Sequence, residues 1–292
     1  MSKNDLPNTF LMGVQKAGST LLFDLLKNHP SVYLPPNKEP HYFSSNDYFA
    51  KGIEYYRQFY REVEDHKIIG DFTPDYLFWP WAIERMIPFI SQETKFIVSL
   101  RQPVRRAYSQ YNMMVSRGFY MNGFVNDINT EDVNLTEPGQ KNLLRPAHMI
   151  ARGLYSVQLK RLFQIVPKDQ IKVIIFEEWT KDQHETLLDI ENFLGIPHHE
   201  LGVDSDQVSN QTLIYPSNPI IDRLKKLNHH IHETTLGKNK FFIKIKERIK
   251  IILGKKPDSL DDRIVKELTS RFFIEDIRKC EEILGRDLSI WY

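Results

Sequence analysis

A glycine-containing loop between an apolar run and a helical segment is the part of the sequence best suited to bind an anion. Residues 9–14 (TFLMGV) are rich in strand formers, and Leu21–Leu26 have the spacing of a buried helical face. Glycines let the backbone approach an anion closely, and the first N–H groups of a helix have no intrahelical partner. The helix dipole also favours negative charge at that end. The residues predicted to bind phosphate are Lys16, Ala17, Gly18, Ser19 and Thr20.

The order of residues in this loop argues against an ordinary nucleoside triphosphatase. A Walker A loop ends in Gly-Lys-Ser/Thr, which lets its lysine reach the outer phosphates. In this chain Ser19 directly follows Gly18, and Lys16 precedes the glycine by two positions. The loop therefore predicts an anion site of a different kind.

A second cationic position follows another apolar segment. Residues 67–70, 95–100 and 171–176 are short apolar runs that we interpret as strands, and helical patterns alternate with them. Ligands of parallel α/β sheets bind at the carboxyl ends of the strands. Arg101 follows one strand and Ser109 lies about two helical turns further on, so both could hold a phosphate. Two phosphate sites at one edge indicate a ligand with two separated phosphates.

The pattern of strands and helices predicts an α/β fold with a central parallel sheet flanked by helices and a helical C-terminal portion. Because no clear linker is present, we predict a single domain over residues 1–292. Helices are expected at about 104–117, 146–166, 183–194 and 259–284, with Gly195 as a C-cap. Residues 118–145 are polar and are expected to form a loop or insertion over a site.

Composition indicates a soluble protein of the cytosol. The net charge is +1, which gives no indication of nucleic-acid binding, and Cys280 is the single cysteine, so no intrachain disulfide can form. Neither a spanning helix nor a signal peptide is evident. Residues 223–256 contain 11 Lys and Arg against 2 Glu. The basic run 238–256 could contact a membrane surface or an anionic polysaccharide, but an ordinary solvated helix with one packed face is the favoured interpretation.

Several motifs together resemble the sulfotransferases that use 3′-phosphoadenosine 5′-phosphosulfate (PAPS). They are GVQKAGST at 13–20, KEPHYF at 38–43, LRQPVRRAYS at 100–109, RGLYSVQLKRLF at 152–163, FEEW and FLGIP within 176–197, and LGRDLSIW at 284–291. These motifs occur in the same order as in the family and together span most of the chain. The heparan-sulfate sulfotransferase branch is the most similar. The resemblance implies a P-loop-like sulfotransferase fold without a metal. With no anchor and no disulfide, a bacterial rather than a Golgi enzyme is expected.

The resemblance also implies a role for each matching residue. Residues 16–20 would hold the 5′-phosphosulfate, while Arg101 and Ser109 would hold the 3′-phosphate that distinguishes PAPS from ATP. Glu39 would be the general base that takes the proton of an acceptor hydroxyl. Lys16 would stabilise charge on the departing adenosine 3′,5′-bisphosphate. Transfer is expected to be direct and in line.

Further polar residues have both a functional and a structural interpretation. His41 could assist Glu39 or bind the acceptor, and it could equally be a hydrogen-bonded structural histidine. Asp71 and Asp75 could bind the acceptor, or they could cap or turn the chain. His229, His230 and His232 lack the carboxylates and spacing that would support a zinc site.

The sequence departs from the family pattern at three places. Gln102 replaces the usual aspartate of an Arg-Asp-Pro turn, which we expect to alter only local bonding. Phe72 stands where animal heparan enzymes have a lysine before Thr-Pro, so one family cation is missing. Residues 210–215 match the family's late lysine/glycine loop without its cation or disulfide.

The expected acceptor is a glycan hydroxyl. A hydroxylated lipid or a carrier-bound acyl chain is the alternative, and an amine acceptor stays open. A nucleotide kinase, which the missing Gly-Lys-Ser opposes, and a non-catalytic nucleotide-binding module are rivals from other classes. The sequence does not indicate an oligomeric state.

Overall fold

A parallel β-sheet forms the centre of the molecule and confirms the predicted fold class. The computed structural model describes residues 6–117, 119, 122–131, 148–199 and 257–292. Among these residues five strands form one sheet in the order β2-β3-β1-β4-β5, with every pair parallel. The strands are β1 Thr9–Gly13, β2 Val32–Tyr33, β3 Ile68–Asp71, β4 Lys95–Leu100 and β5 Ile171–Ile175.

Helices cover both faces of this sheet. They are α1 Ser19–Leu26, α2 Asn46–Phe49, α3 Ile53–Arg57, α4 Pro80–Met86, α5 Pro103–Ser116, α6 Phe124–Asn129, α7 Tyr155–Ile165, α8 Phe176–Trp179, α9 Gln183–Leu194, α10 Asp262–Phe272 and α11 Ile274–Leu284. Short 3₁₀ turns lie at Gln58–Tyr60, Ile87–Phe89, Ala151–Gly153, Lys168–Gln170 and Ser289–Trp291. Among the helices described, none combines the length and apolar character needed to cross a membrane.

The central strands are apolar along their whole length because both of their faces are buried. Along β1, Phe10 and Met12 belong to one apolar cluster and Leu11 to a second. Successive side chains of a strand point to opposite faces, so the two clusters lie on opposite sides of the sheet. Helix α1 packs in the second cluster, whereas α5 contributes Val104 and Ala107 to the first.

This arrangement creates a topological switch point between β1 and β4. The neighbouring strands β1 and β4 are followed by helices that pack on opposite faces, so their loops diverge at the carboxyl ends. In parallel α/β sheets such a switch point is where ligands bind. The loops that follow β1 and β4 are those in which Lys16 and Arg101 were predicted to bind phosphates.

The helix predicted at 146–166 begins later than expected. Helix α7 starts at Tyr155, after a 3₁₀ turn. Asp276 of α11 accepts hydrogen bonds from the N–H groups of Tyr155 (2.7 Å) and Ser156 (3.2 Å), so a distant carboxylate sets the helix start. Gly153 lies against Phe273, where a Cβ would come within 2.7 Å of the ring.

Two further boundaries differ from the predictions. The C-terminal helix expected at 259–284 is two helices, α10 and α11, separated at the fully buried Phe273. The two-residue strand β2 was not predicted, because prolines follow it and its apolar run is too short to show alternation. Helix α6 lies within the stretch 118–145 that was expected to be irregular.

The expectation that Gln102 alters only local bonding was wrong. Its side chain caps α5 by accepting from the Arg105 N–H at 2.8 Å. Its amide also donates to Thr269 Oγ1 at 2.6 Å and to the Trp291 carbonyl at 3.3 Å. Gln102 therefore ties the turn after β4 to the C-terminal helices.

Some sequence predictions lie outside the described residues. These are the segment 210–215, the histidines 229, 230 and 232, and the basic run 238–256. The single domain over 1–292, the cytosolic location and the peripheral contact stay predictions.

Candidate active site

The loop between β1 and α1 is held in a conformation that leaves the start of the helix open. Gly18 has a left-handed conformation (φ 86°) and is the N-cap of α1, and no described side chain caps the helix. A Cβ at this position would overlap the rings of Trp179 and Phe176. The Ala17 carbonyl accepts from Ser99 Oγ of β4 at 2.6 Å. The N–H groups at the start of α1 are therefore available to an anion.

Lys16 lies where several positive charges converge. Burial, together with the neighbouring charges of Arg101, Arg117 and Lys38, lowers the pKa of Lys16 to about 8, while Glu39 acts in the opposite direction. Cations that repel one another are stabilised by an anion placed among them. The electrostatics of this loop thus match a phosphate or phosphosulfate ligand.

Arg101 is tied to the same loop. Its Nη1 donates to the Lys16 carbonyl at 2.9 Å, and its guanidinium lies 4.5 Å from the centroid of the Phe176 ring. The Nε atom is buried, and nothing in the described part of the chain hydrogen-bonds it. Burial lowers the pKa of Arg101, although Glu177 partly offsets this effect. Arg101 therefore holds the loop and keeps a donor for a ligand.

Ser109 lies on the same helix that follows Arg101. It is partly exposed, and among the described residues no hydrogen bond to its hydroxyl is present. It lies six positions after Pro103 at the start of α5, a rise of about 9 Å along the helix axis.

Glu39 lies beside the anion loop with two basic partners. Lys38 Nζ is 2.9 Å from Glu39 Oε1, and His41 Nε2 is 3.3 Å from Oε2. Burial raises the pKa of Glu39, but the His41 hydrogen bond and the Lys38 charge outweigh it and lower the pKa to about 2. Glu39 is therefore a carboxylate at neutral pH and can accept a proton.

Lys38 also reaches the first turn of α1. Its Nζ lies 2.8 Å from Thr20 Oγ1 and 3.3 Å from Ser19 Oγ. One ammonium therefore touches both the helix start and Glu39. The sequence analysis assigned Lys38 no role, although its position directly before Glu39 in KEPHYF could have indicated one.

His41 connects Glu39 to a second carboxylate. Its Nδ1 lies 3.9 Å from Asp75 Oδ2, and Arg152 Nη1 lies 2.7 Å from Asp75 Oδ1. Burial lowers the pKa of His41, but the hydrogen bond to Glu39 and the charge of Asp75 produce a net increase. Asp75 and Arg152 are both buried. The ion pair with Arg152, a residue without a predicted role, thus fixes the carboxylate that faces His41.

Asp71 is placed differently from the other candidates. Its carboxylate is fully buried and accepts hydrogen bonds from Tyr56 (2.6 Å), Thr73 (2.6 Å) and Tyr76 (2.8 Å). Direct contact with an acceptor would require these bonds to open. We therefore interpret Asp71 as the residue that holds the chain at the end of β3, rather than as an acceptor ligand.

Arg117 is a further cation of the site that the sequence analysis missed. Desolvation lowers its pKa, and the carboxylates of Glu39 and Asp75 act in the opposite direction. It is the C-cap residue of α5 and part of its side chain stays exposed. Because Arg117 is 78 positions from Glu39 in the sequence, local spacing could not have indicated their proximity.

The described residues do not include any three His, Cys, Asp or Glu side chains grouped so that they could hold a metal ion. The candidate site consists of cations, hydroxyls, backbone N–H groups and the carboxylates of Glu39 and Asp75. It has the composition of a site for transfer of an anionic group from a phosphate-containing donor.

Comparison with known proteins identifies the family. Residues 6–213 match the family model described as "Sulfotransferase domain". This match covers more than half of the chain, and the chain therefore belongs to the sulfotransferase family.

Individual relatives agree with this assignment. Mouse heparan sulfate glucosamine 3-O-sulfotransferase 3A1 is 26% identical over 97% of this chain and 64% of its own length. The membrane-associated sulfotransferase kil1 of Dictyostelium discoideum is 27% identical over 68% of this chain and 58% of its own length. The chain thus spans about three fifths of these relatives.

A solved structure shares the fold. The crystal structure of a sulfotransferase from Alicyclobacillus acidocaldarius has a TM-score of 0.66 with 24% sequence identity and covers 98% of both chains. This likeness supports the P-loop-like α/β architecture.

Proposed function

We propose that the chain transfers a sulfuryl group from PAPS to an acceptor hydroxyl, with Glu39 as general base. The observation that carries the proposal is the position of an ionised carboxylate, Glu39, beside a cationic loop that leaves the N–H groups of α1 open. A transferase of this kind needs an anion site for its donor and a proton acceptor next to it. Membership of the sulfotransferase family supports the same chemistry.

The residues present fit PAPS as the donor substrate. Lys16 and the start of α1 would hold the 5′-phosphosulfate, and Arg101 with Ser109 would hold the 3′-phosphate. The buried Arg101 Nε, which lacks a partner among the described residues, supplies a donor for that phosphate. A nucleotide without a 3′-phosphate would leave this donor unpaired, so the site should favour PAPS over ATP.

The reaction follows from the placement of charge. The acceptor oxygen forms a bond to sulfur while the bond from sulfur to the bridging oxygen of the phosphosulfate breaks, and adenosine 3′,5′-bisphosphate departs. Glu39 takes the hydroxyl proton. Because the pKa of Glu39 is about 2, the proton moves only as the acceptor oxygen loses electron density to sulfur. Lys16 stabilises the negative charge that develops on the leaving bisphosphate.

We propose a carbohydrate as the acceptor. Several relatives carry names that specify heparan sulfate glucosamine. The polar groups next to Glu39, namely His41, Asp75 and Arg117, could hydrogen-bond the hydroxyl or acidic groups of a sugar. A hydroxylated lipid and a carrier-bound acyl chain are the alternative acceptors.

A radiolabel transfer assay tests the proposal. The purified chain would be incubated with ³⁵S-labelled PAPS in three separate reactions, each with one acceptor. The acceptors are desulfated heparan oligosaccharides, a long-chain hydroxylated lipid and an acyl-carrier substrate. Label in the oligosaccharides supports both sulfuryl transfer from PAPS and a carbohydrate acceptor. Label in the lipid or in the acyl-carrier substrate supports sulfuryl transfer but contradicts the carbohydrate acceptor. Matched reactions with γ-³²P-ATP cover the kinase alternative, because phosphate transfer without sulfuryl transfer would overturn the proposed function.

A further inference from the structure

Lys38 connects the donor half of the candidate site to the proton acceptor. Its Nζ contacts Thr20 Oγ1 at 2.8 Å, Ser19 Oγ at 3.3 Å and Glu39 Oε1 at 2.9 Å. An ammonium has three N–H donors, and all three point to groups of the site. The side chain is 18% exposed, so it is largely withdrawn from solvent but not sealed off.

These contacts limit how far apart the two halves of the site can be. Bonds of 2.8 and 2.9 Å to one nitrogen atom keep Thr20 Oγ1 and Glu39 Oε1 within about 6 Å of each other, the length of two hydrogen bonds. In an in-line transfer the moving group travels between the donor and the acceptor oxygen whose proton Glu39 takes. The ammonium of Lys38 therefore lies beside the path of that group.

An ammonium at this position should stabilise the negative charge that develops on the transferred group. As the bonds to sulfur lengthen, negative charge is shared between the non-bridging oxygens and the leaving oxygen. A cation fixed beside this path, in a site partly removed from water, stabilises that charge more than it would in bulk solvent. Lys16, in the loop, is in place for the leaving bisphosphate instead.

We propose that Lys38 is a catalytic residue that binds the sulfuryl group itself during transfer. The proposal rests on the function proposed above and adds a contact to the reacting group. The same side chain hydrogen-bonds Glu39, so it couples the binding of the donor to the state of the base. When the sulfuryl group engages Lys38, the ammonium shifts its bonds from Glu39 to the sulfuryl oxygens, and the carboxylate becomes a stronger base.

Two simpler roles must be separated from this one. Lys38 could only fasten its own loop to the start of α1, or it could only bind the 5′-phosphate. The first role predicts a loss of folding stability without selective effects on ligands. The second predicts equal losses of affinity for PAPS and for adenosine 3′,5′-bisphosphate, because both ligands carry that phosphate.

Ligand titration separates the three roles without an acceptor. Dissociation constants for PAPS and for adenosine 3′,5′-bisphosphate would be measured by calorimetry for the wild-type chain, Lys38→Met and Lys38→Arg. Lys27→Met is the matched control, since Lys27 is a partly exposed lysine that pairs with Asp24 at 2.6 Å on α1. Circular dichroism and thermal melting would confirm that each variant is folded.

The proposal expects Lys38→Met to weaken PAPS binding at least tenfold and bisphosphate binding less than threefold. Lys38→Arg should recover part of the difference, and Lys27→Met should change neither value. Equal losses for both ligands, or no loss for either, would overturn the proposal. If Lys38→Met does not fold, Lys38→Arg becomes the deciding variant. The proposal then requires that its affinities for PAPS and for the bisphosphate change by unequal factors relative to wild type. A wild-type chain that binds neither ligand refutes the proposed function itself, which is a separate outcome.

The pH profile supplies a second readout. Lys38 is one of the groups that lower the pKa of Glu39, after the stronger effect of the His41 hydrogen bond. With the acceptor that is active in the transfer assay, Lys38→Met should move the acidic limb of kcat/KM to higher pH. A limb that stays in place would contradict the coupling between Lys38 and the base.

Discussion

Replacing Glu39 by Gln should stop group transfer while leaving the donor site intact. The amide keeps the size of the side chain and can still accept a hydrogen bond from Lys38, but it cannot take a proton. A positioned general base contributes about 10²- to 10⁴-fold to a rate. Since each factor of ten corresponds to about 1.4 kcal/mol, we expect Glu39→Gln to lose about 3–5 kcal/mol of transition-state stabilisation through a lower kcat.

The structure also predicts the effect on the donor. Glu39 contacts Lys38 and His41, whereas the anion loop is held by Ser99 and Arg101. Removing the Glu39 charge leaves the positive charges around Lys16 less neutralised. Affinity for adenosine 3′,5′-bisphosphate should therefore be unchanged or slightly increased.

The assay combines initial rates of ³⁵S transfer with calorimetric titration of the bisphosphate. Glu54→Gln is the matched control, because Glu54 is an exposed residue of α3 that pairs only with Arg57 among the described residues at 2.6 Å. Glu39→Asp should recover part of the rate, since it restores a carboxylate on a side chain that is one methylene group shorter. Turnover of Glu39→Gln within threefold of wild type would refute the general-base role.

Three other substitutions test how the site is built. Gly18→Ala should raise the bisphosphate dissociation constant at least tenfold in calorimetry, because a Cβ would overlap the Trp179 ring and displace the loop. Arg152→Met should lower the free energy of unfolding by about 3–5 kcal/mol in urea titrations, since it removes the buried arginine that pairs with the buried Asp75 carboxylate at 2.7 Å. His41→Gln should cost more thermal stability at pH 6 than at pH 9. The folded pKa of His41 is raised, so its contribution is complete below the ordinary value and is lost as pH rises through the folded pKa.

The Gly18 and Arg152 substitutions each have a control on the same chain. Gly52 also has a positive φ (79°), but no atom of the described residues lies within 4 Å of the Cβ that Gly52→Ala would add, so this variant should leave bisphosphate affinity unchanged. Arg278→Met removes an exposed arginine and should change stability by less than about 1 kcal/mol. Equal effects in Gly18→Ala and Gly52→Ala, or in Arg152→Met and Arg278→Met, would contradict these arguments. A loss of thermal stability in His41→Gln that is the same at pH 6 and pH 9 would contradict the argument about the raised pKa of His41.

The parts of the site that could be predicted depend on short-range sequence patterns. A strand, a glycine turn with Lys16 and the start of a helix are contiguous, and their chemistry follows from helix-end geometry. The bounds of β4 and α9 were predicted as the structure has them, because each is a strongly patterned segment. Glu39 was identified through a family motif, since an isolated carboxylate in a loop has no distinguishing pattern.

The parts that could not be predicted depend on contacts between distant positions. Lys38 turns toward Thr20, and Arg152 pairs with Asp75 across 77 positions. The start of α7 is set by Asp276, which is 121 positions from Tyr155. Local propensity contains no information about such partners, so the prediction extended the helix into the residues that precede Tyr155.

Calorimetric titration with adenosine 3′,5′-bisphosphate, set against ATP and 5′-AMP, tests the central claim most directly. If the chain holds a donor with a 3′-phosphate, the bisphosphate should bind at least tenfold more tightly than 5′-AMP, and Ser109→Ala should reduce that advantage. Arg101→Ala should reduce it further, because Arg101 also holds the loop at Lys16. Binding of ATP as tight as that of the bisphosphate, or no binding of the bisphosphate, would contradict the assignment of PAPS as the donor.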